Sequence, residues 1–237
     1  MYMLTFNLLG LDNDITSLMI LIAIIVIASI AQAGINRQYN IYSGFPVQNR
    51  WTGEQAAQAF LNANGIYDVV ILPTSGVLSD HYNPSTKVIK LSSDVFKTSS
   101  ISSVAIACHE TGHAIQHKDK YPFLVFRNTI IPIVNFSGSV SWILIVIGLI
   151  FYSWDFMLAG LICFGVIAVF QLITLPVEIN ASRRAIAFLD GALTIEENEG
   201  ATKVLKAAAF TYIASLLTSL LQIVRFLTIF NGRGRRN

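Results

Sequence analysis

The sequence predicts a mostly α-helical membrane protein with three to four transmembrane helices and a small α+β domain. Hydrophobic residues make up 54% of the 237 residues and charged residues only 13%, whereas about one quarter of a soluble domain is charged. Each of four stretches without Asp, Glu, Lys or Arg is long enough to cross, or nearly cross, a hydrocarbon layer of about 30 Å. These stretches are 15–36, 128–154, 156–177 and 207–224.

The first stretch predicts an N-terminal transmembrane helix within residues 1–36. An Ala-Gln-Ala sequence that ends at Ala33 imitates a signal-peptidase site. However, residues 1–16 contain no Lys or Arg, and Asp12 and Asp14 give them a negative charge. A signal peptide begins with a positively charged region, so we expect this helix to stay uncleaved.

Residues 37–127 are predicted to form the small α+β domain. Thr52 is followed three residues later by Gln55, a capping-box pattern that begins a helix. Two later runs are rich in Val and Ile or alternate apolar with polar residues, as strands do. The predicted elements are a helix over 53–62, a strand over 68–72, a polar turn over 79–84, a strand over 86–91, and a helix that Ser99 or Ser100 caps and that runs to about His117.

The second and third apolar stretches predict a transmembrane helical hairpin over 128–177, because the two expected helices, roughly 130–151 and 156–175, are joined only by residues 152–155. A helix and loop over 178–206 should follow. The last segment, 207–237, is predicted to be an apolar helix with a basic tail. Arg225 interrupts this helix, which either crosses the membrane or lies at its interface.

The distribution of basic residues predicts the orientation. Segments 37–127 and 178–206 together contain twelve Lys and Arg residues, and the C-terminal tail contains three. Because loops rich in Lys and Arg stay in the cytoplasm, we expect a multi-pass protein of the cell membrane with its polar domain in the cytoplasm.

Several other classes of protein are disfavoured. A net charge of +2 with no basic stripe argues against nucleic acid as a partner. Cys108 and Cys163 are too few for a disulfide framework and should be unpaired apolar residues. A transporter or channel would need ionisable residues in its spans and inverted repeats, but Arg225 stands alone and no repeat is visible.

The strongest chemical signal is the HExxH motif at His109-Glu110-Thr111-Gly112-His113. On a helix, positions i and i+4 share a face, so both imidazoles can bind one Zn2+ ion. Glu110 can take a proton from the water that zinc activates and pass it to the leaving amine. We therefore expect His109 and His113 as metal ligands and Glu110 as the catalytic base.

Catalytic zinc needs a third protein ligand and an open position. His117 lies about 6 Å beyond His113 along the helix, and its spacing does not fit the metzincin pattern. Glu178 emerges where the hairpin returns to its starting face of the membrane, and Pro176 can kink the helix to aim its carboxylate. From spacing alone, Glu178 is either a zinc ligand or a solvated interfacial acid.

Two separated motifs resemble the YugP-type membrane zinc metallopeptidases. One is HETGHAIQH, from His109 to His117, and the other is LPVEINASRRA, from Leu175 to Ala185. RWTG at 50–53 and DHYNP at 80–84 also resemble that family. The similarity runs from about residue 40 to the C-terminus. The layout is more distantly similar to the HtpX-type membrane proteases and the CAAX prenyl proteases, which share HExxH, a helical hairpin and a third Glu ligand.

This resemblance implies that Glu178 is the third zinc ligand and that the polar domain is zincin-like, of the gluzincin kind. One departure concerns the support of a ligating histidine. The distant relatives place an Asp four residues after the Glu, where it orients that imidazole. Here the position is Ser182, whose hydroxyl orients an imidazole more weakly.

Several alternatives remain open for the residues that would bind the substrate. The strand over 86–91 is either an edge strand that pairs with an extended peptide or an ordinary core strand. Asp80 and His81 are expected to serve the turn rather than to bind metal. The unranked candidates for stabilising a substrate oxyanion are Arg183, Tyr212, His81 and Asn180.

Together these features predict a membrane-embedded zinc metalloendopeptidase. It would hydrolyse peptide bonds of membrane-associated or misfolded proteins, so its partners are a protein or peptide substrate and the lipid bilayer. The alternative is a catalytically silent, zinc-stabilised membrane scaffold or adaptor. Glu110 argues against this alternative, because a structural zinc site has no use for a base.

Overall fold

The computed structural model describes residues 13–233, which form seven helices and one three-stranded sheet. The elements are α1 (Asn13–Ser43), α2 (Gly53–Ala63), β1 (Val70–Thr74), β2 (His81–Asn83), β3 (Val88–Ser92), α3 (Ser93–Lys97), α4 (Ile101–Lys118), α5 (Pro122–Ile150), α6 (Trp154–Asp190) and α7 (Ile195–Arg233).

Four of the described helices, α1, α5, α6 and α7, are long and apolar enough to cross a membrane. The prediction of a mostly α-helical membrane protein with a small α+β part is therefore confirmed. The helices extend beyond the apolar stretches at several ends. In particular, α6 continues through Pro176 to Asp190, so Glu178 lies inside a long helix rather than after its end.

Spatial proximity divides the chain into two compact units. We call the first the apolar unit; of the described residues it contains 13–30, Thr129–Leu172 and 213–233. We call the second the polar unit; it contains Ala31–Asn128 and Ile173–Tyr212. The division into five segments along the chain stays a prediction.

Within the apolar unit, small residues let α5 and α6 approach closely. A Cβ on Gly148 would lie 2.6 Å from the Met157 backbone nitrogen, and one on Gly160 would lie 2.6 Å from the Ile145 side chain. Small residues at such contacts are typical of helix packing in membranes. The interval between these helices runs only from Ile150 to Trp154, and the transmembrane hairpin over 128–177 stays a prediction.

In the polar unit, the sheet has the order β1-β3-β2. Strand β3 is central, since it pairs in parallel with β1 and antiparallel with β2. Strand β2 occupies the segment where a polar turn was predicted. Its three residues are too few to show a strand pattern in the sequence, and pairing with β3 defines it. The strand predicted over 86–91, for which an edge and a core position were both open, corresponds to the central strand β3, and β1 and β2 lie at the edges.

A hydrophobic core joins the sheet to the helices of the polar unit. Helix α2 begins with the predicted capping box, in which Thr52 and Gln55 each accept from the other's backbone N–H. Helix α4 begins at the expected cap, where Ser100 Oγ accepts from Ser103 N–H. The largest fully buried apolar side chains of this core are Leu61, Ile89, Leu91, Leu189, Leu205, Val47, Val95 and Val104.

Candidate metal centre

Helix α4 carries the HExxH motif through the interior of the polar unit. Apolar residues such as Val104 and Ala107, which precede the motif, are fully buried and hold the helix against the core. His109 and His113 lie one turn apart on the same face. Their ring centroids are 4.8 Å apart and the ring planes meet at 83°. The two imidazoles therefore face a common point.

Helix α6 brings Glu178 to that point. Glu178 Oε2 lies 3.2 Å from His109 Nε2 and 3.5 Å from His113 Nε2. In the described part of the chain, these three residues form a group whose possible ligand atoms all lie within 4.8 Å of one another. The structure thus brings together all three ligands expected from the sequence and the resemblance.

This donor set fits zinc. Two imidazole nitrogens and one carboxylate oxygen are typical of catalytic zinc sites that keep a fourth position open. Glu178 is only 2% exposed, and burying a carboxylate without a positive partner is costly. A cation held between the carboxylate and the imidazoles would offset that cost.

Gly112, inside the motif, allows α4 and α6 to approach closely enough. A Cβ at this position would lie 2.7 Å from the carbonyl oxygen of Ala181 and 3.1 Å from its Cα. Because both contacts are with backbone, no side-chain movement can relieve them. Ala181 lies three residues after Glu178, so the close contact fixes the part of α6 that carries the acidic ligand.

The outer nitrogens of the two histidines have different partners. His109 Nδ1 lies 3.1 Å from Ser182 Oγ, at the position identified as a departure from the distant relatives. His113 Nδ1 lies 3.0 Å from Gln116 Oε1. The amide nitrogen of Gln116 donates to the Val177 carbonyl at 2.8 Å and to Asn180 Oδ1 at 3.0 Å.

The Gln116 network extends to the surface. Asn180 Oδ1 also accepts from Arg184 Nε at 2.9 Å, and Arg184 Nη1 donates to Asp119 Oδ2 at 2.6 Å. This chain of contacts ties α4 to α6 on the side of His113. Sequence reasoning missed Gln116, although its place three residues after His113 on a helix was a usable signal.

The chain is similar to known membrane and zinc-dependent peptidases over most of its length. A model of the family described as "Putative neutral zinc metallopeptidase" matches residues 17–231. The chain belongs to this family. It is also 43% identical over 206 residues to "Putative membrane protease YugP" of Bacillus subtilis (strain 168), a match covering 86% of this chain and 92% of that protein. No solved structure matches. The family expected from the two motifs is thereby confirmed.

In this member of the metallopeptidase family, Glu110 is buried beside the three candidate ligands, at 9% exposure. Its negative charge acts on Asp80, which precedes β2, and on Tyr212 of α7. Burial raises the pKa of Asp80, and the charge of Glu110 raises it further. Asp80 accepts hydrogen bonds from the backbone N–H and the hydroxyl of Ser92. Asp80 therefore links the segment before β2 to the end of β3, a contact that lies outside the predicted turn.

Two further side chains of the polar unit lie next to Glu178. The hydroxyl of Tyr212, on α7, lies close enough to the site for the charges of Glu178 and Glu110 to act on it. Arg127, on α5, places Nη1 3.9 Å from Glu178 Oε1. Sequence reasoning counted Arg127 only as a basic residue for orientation, because nothing in its local sequence points to the site.

The remaining candidates lie in other surroundings. His117 Nδ1 pairs with the Tyr82 hydroxyl at 2.8 Å and is absent from the candidate ligand group. His81 is exposed, and its Nδ1 lies 2.8 Å from the Ser79 carbonyl oxygen. Arg183 is exposed on α6. Asn180 directs its side-chain oxygen to the Gln116 network.

Proposed function

We propose that this protein is a membrane-embedded zinc metalloendopeptidase of the gluzincin kind. It hydrolyses peptide bonds of membrane-associated or misfolded proteins. The observation that carries the proposal is the convergence of His109, His113 and Glu178 in a buried site with Glu110 beside it. A zinc-stabilised scaffold would have no need of the buried acid.

His109 Nε2, His113 Nε2 and a Glu178 oxygen would hold the zinc. When bound there, zinc polarises the scissile carbonyl and makes water a stronger acid. Gln116 Oε1 can only accept, so His113 must carry its proton on Nδ1 and present an unprotonated Nε2. Burial keeps Glu110 close to the reacting groups and out of bulk water.

Glu110 is the proton carrier in the proposed reaction. It takes one proton from the attacking water as the water oxygen bonds to the carbonyl carbon. It then gives that proton to the peptide nitrogen as the carbon–nitrogen bond breaks. The second water proton stays on the new acid group until the amine takes it, so the products are a carboxylate and an ammonium ion, and Glu110 ends in its original ionised form.

Strand β2 offers a surface on which an extended substrate could align. It pairs with β3 on one side, and it packs against α4 in the polar unit. A peptide that added to its other side would use main-chain hydrogen bonds, which recognise any sequence in an extended conformation. This arrangement supports an endopeptidase that accepts varied segments.

The cytoplasmic orientation and the membrane-associated substrates belong to the same proposal. Twelve basic residues in segments 37–127 and 178–206 favour the cytoplasm. Glu178 follows directly on the apolar stretch 156–177 of α6, so a substrate would have to reach a ligand carried by a membrane helix. Equal cleavage of soluble peptides and of the same sequences embedded in bilayers would contradict this preference.

Cleavage of a reporter peptide by purified protein in detergent tests the proposed activity. Wild type and Glu110→Gln should both contain zinc, and wild type alone should cleave. Glu54→Gln, the same substitution at an exposed acid on α2, is the matched control and should cleave like wild type. Zinc in all three proteins with no cleavage of a broad peptide set would support the scaffold instead.

A further inference from the structure

Arg127 lies beside the candidate metal centre with hydrogen-bonding capacity to spare. Its Nη1 is 3.9 Å from Glu178 Oε1, which is within ion-pair range but too long for a hydrogen bond. In the part of the chain that the structure describes, its buried Nε has no hydrogen-bond partner. The side chain is 27% exposed. A buried donor without a partner is costly and calls for an explanation.

Glu178 lies between the two imidazoles of the site and the guanidinium of Arg127. Its Oε2 faces the imidazoles of His109 and His113, and its Oε1 faces Arg127. The guanidinium is therefore one carboxylate away from the atoms that would hold the metal. A substrate oxygen bound next to the metal would lie near these unused N–H groups.

Tyr212 is the other donor near Glu178, with the single O–H of a phenol. The negative charge of Glu178 acts on that hydroxyl. It is thus placed to hold the carboxylate rather than to bind a further oxygen. Of the groups considered above for the oxyanion, Arg183 and His81 are exposed, and Asn180 belongs to the Gln116 network.

We propose that Arg127 is a catalytic residue that binds the oxygen of the scissile carbonyl, and that Tyr212 is a positioning residue that holds Glu178. This inference rests on the proposed peptidase function. As water oxygen adds to the carbonyl carbon, the electron pair of the C=O bond moves onto its oxygen. Arg127 stays protonated and donates to that negative oxygen, and the pair returns when the carbon–nitrogen bond breaks.

The decisive experiment compares Arg127→Gln, Arg127→Lys and Tyr212→Phe in the full chain. Zinc affinity, kcat and KM are measured for each protein, together with its affinity for a phosphonate analogue of the cleaved peptide. Arg127→Gln should keep its zinc affinity and KM, while kcat falls about 100- to 1,000-fold. Its phosphonate affinity should fall by a similar factor, and Arg127→Lys should recover part of both.

The two roles are expected to separate in these measurements. Tyr212→Phe should weaken zinc binding about tenfold and regain much of its activity in excess zinc. Arg183→Gln removes the same charge from an exposed site and should match wild type in every measurement. Thermal unfolding with zinc checks that each variant is folded; if Arg127→Gln is not, Arg127→Lys should show the same effects at smaller size.

Two results would overturn the assignment of Arg127. One is weaker zinc binding in Arg127→Gln with normal kcat at saturating zinc, which would make Arg127 a support for Glu178. The other is a rise in KM alone, which would assign it to ground-state binding. If wild type does not cleave at all, the proposed function fails, and the phosphonate affinities of zinc-loaded wild type and variants still decide whether Arg127 binds the tetrahedral oxygen.

Discussion

The two candidate histidine ligands lie one turn apart on α4, yet different chemistry holds their outer nitrogens. His113 meets an amide oxygen, which can only accept a proton, whereas His109 meets a hydroxyl, which can donate or accept. Gln116 therefore fixes the tautomer of His113, while Ser182 leaves that of His109 to the metal. Hydrogen bonding therefore orients His113 strongly and His109 only weakly.

The same contrast extends to the links between helices. Gln116 uses all its usual hydrogen-bonding groups, and both of its amide contacts reach α6. Ser182 makes one contact back to α4. Because groups outside the ligands tune metal affinity by about 10- to 100-fold, substitution at the two sites should have unequal effects.

Gly112→Ala should have the largest effect on zinc binding, since it disturbs the surroundings of both His109 and His113. The new methyl group would collide with the Ala181 backbone and push the two ligand-bearing helices apart. We expect the purified protein to lose most of its zinc, as measured by mass spectrometry of the metal. Gly53→Ala is the control: its Cβ would collide with the Val95 carbonyl oxygen, so it should lower the Tm without removing zinc from folded protein. Full zinc in Gly112→Ala would refute the close contact.

Gln116→Ala should have the second-largest effect on zinc binding. His113 loses the acceptor that fixes its tautomer, and the Val177 carbonyl and Asn180 lose their donor in a buried setting. The dissociation constant for zinc should rise about 100-fold, measured by competition with a chelator. Gln58→Ala, at an exposed site on α2, should leave it unchanged. If the dissociation constant of Gln116→Ala were also unchanged, the amide of Gln116 would not orient His113.

Substitutions of Ser182 should have smaller effects, in opposite directions. Ser182→Ala should weaken zinc binding about tenfold or less, because only one contact to His109 is lost. Ser182→Asp introduces an oxygen that can only accept and should tighten zinc binding, because a carboxylate makes a stronger hydrogen bond to the imidazole. A larger loss of zinc affinity in Ser182→Ala than in Gln116→Ala would contradict the stronger support that we assign to Gln116.

The smallest expected effect is on the pH dependence of the metal-free protein. Burial lowers the pKa of His113, but the hydrogen bond and charge of Glu178, with the charge of Glu110, raise it above the ordinary 6.5. Protonated His113 thus stabilises the metal-free fold below pH 6.5, and this contribution is lost as pH rises through the raised pKa. Thermal unfolding in a chelator between pH 6 and 9 should show the decline, which zinc should abolish. Identical profiles with and without zinc would contradict it.

Sequence reasoning reached the parts of the site that have a fixed spacing. The i, i+4 geometry of a helix places His109 and His113 together wherever the motif occurs. Glu178 needed the family resemblance, because its position depends on how a 37-residue helix packs against α4. Ser182 followed from the same resemblance, and its contact with His109 agrees with the weak support expected there.

The parts that sequence missed depend on packing between distant segments. Arg127 belongs to no local motif. Tyr212 was only one of four unranked oxyanion candidates, because its place near Glu178 depends on how α7 packs. Strand β2 is recognisable only through its pairing with β3. Likewise, the polar residues after 177 gave no sign that α6 continues to Asp190, because a long helix can leave the apolar stretch without a break.

The zinc content of Glu178→Gln, measured beside that of Glu110→Gln, tests the central claim most directly. Both substitutions replace a buried acid by its amide within the same site. We predict that Glu178→Gln loses most of its zinc, because a metal ligand is gone, while Glu110→Gln keeps one zinc per chain and loses cleavage. Equal zinc in the two proteins would contradict the assignment of Glu178 as ligand and Glu110 as base.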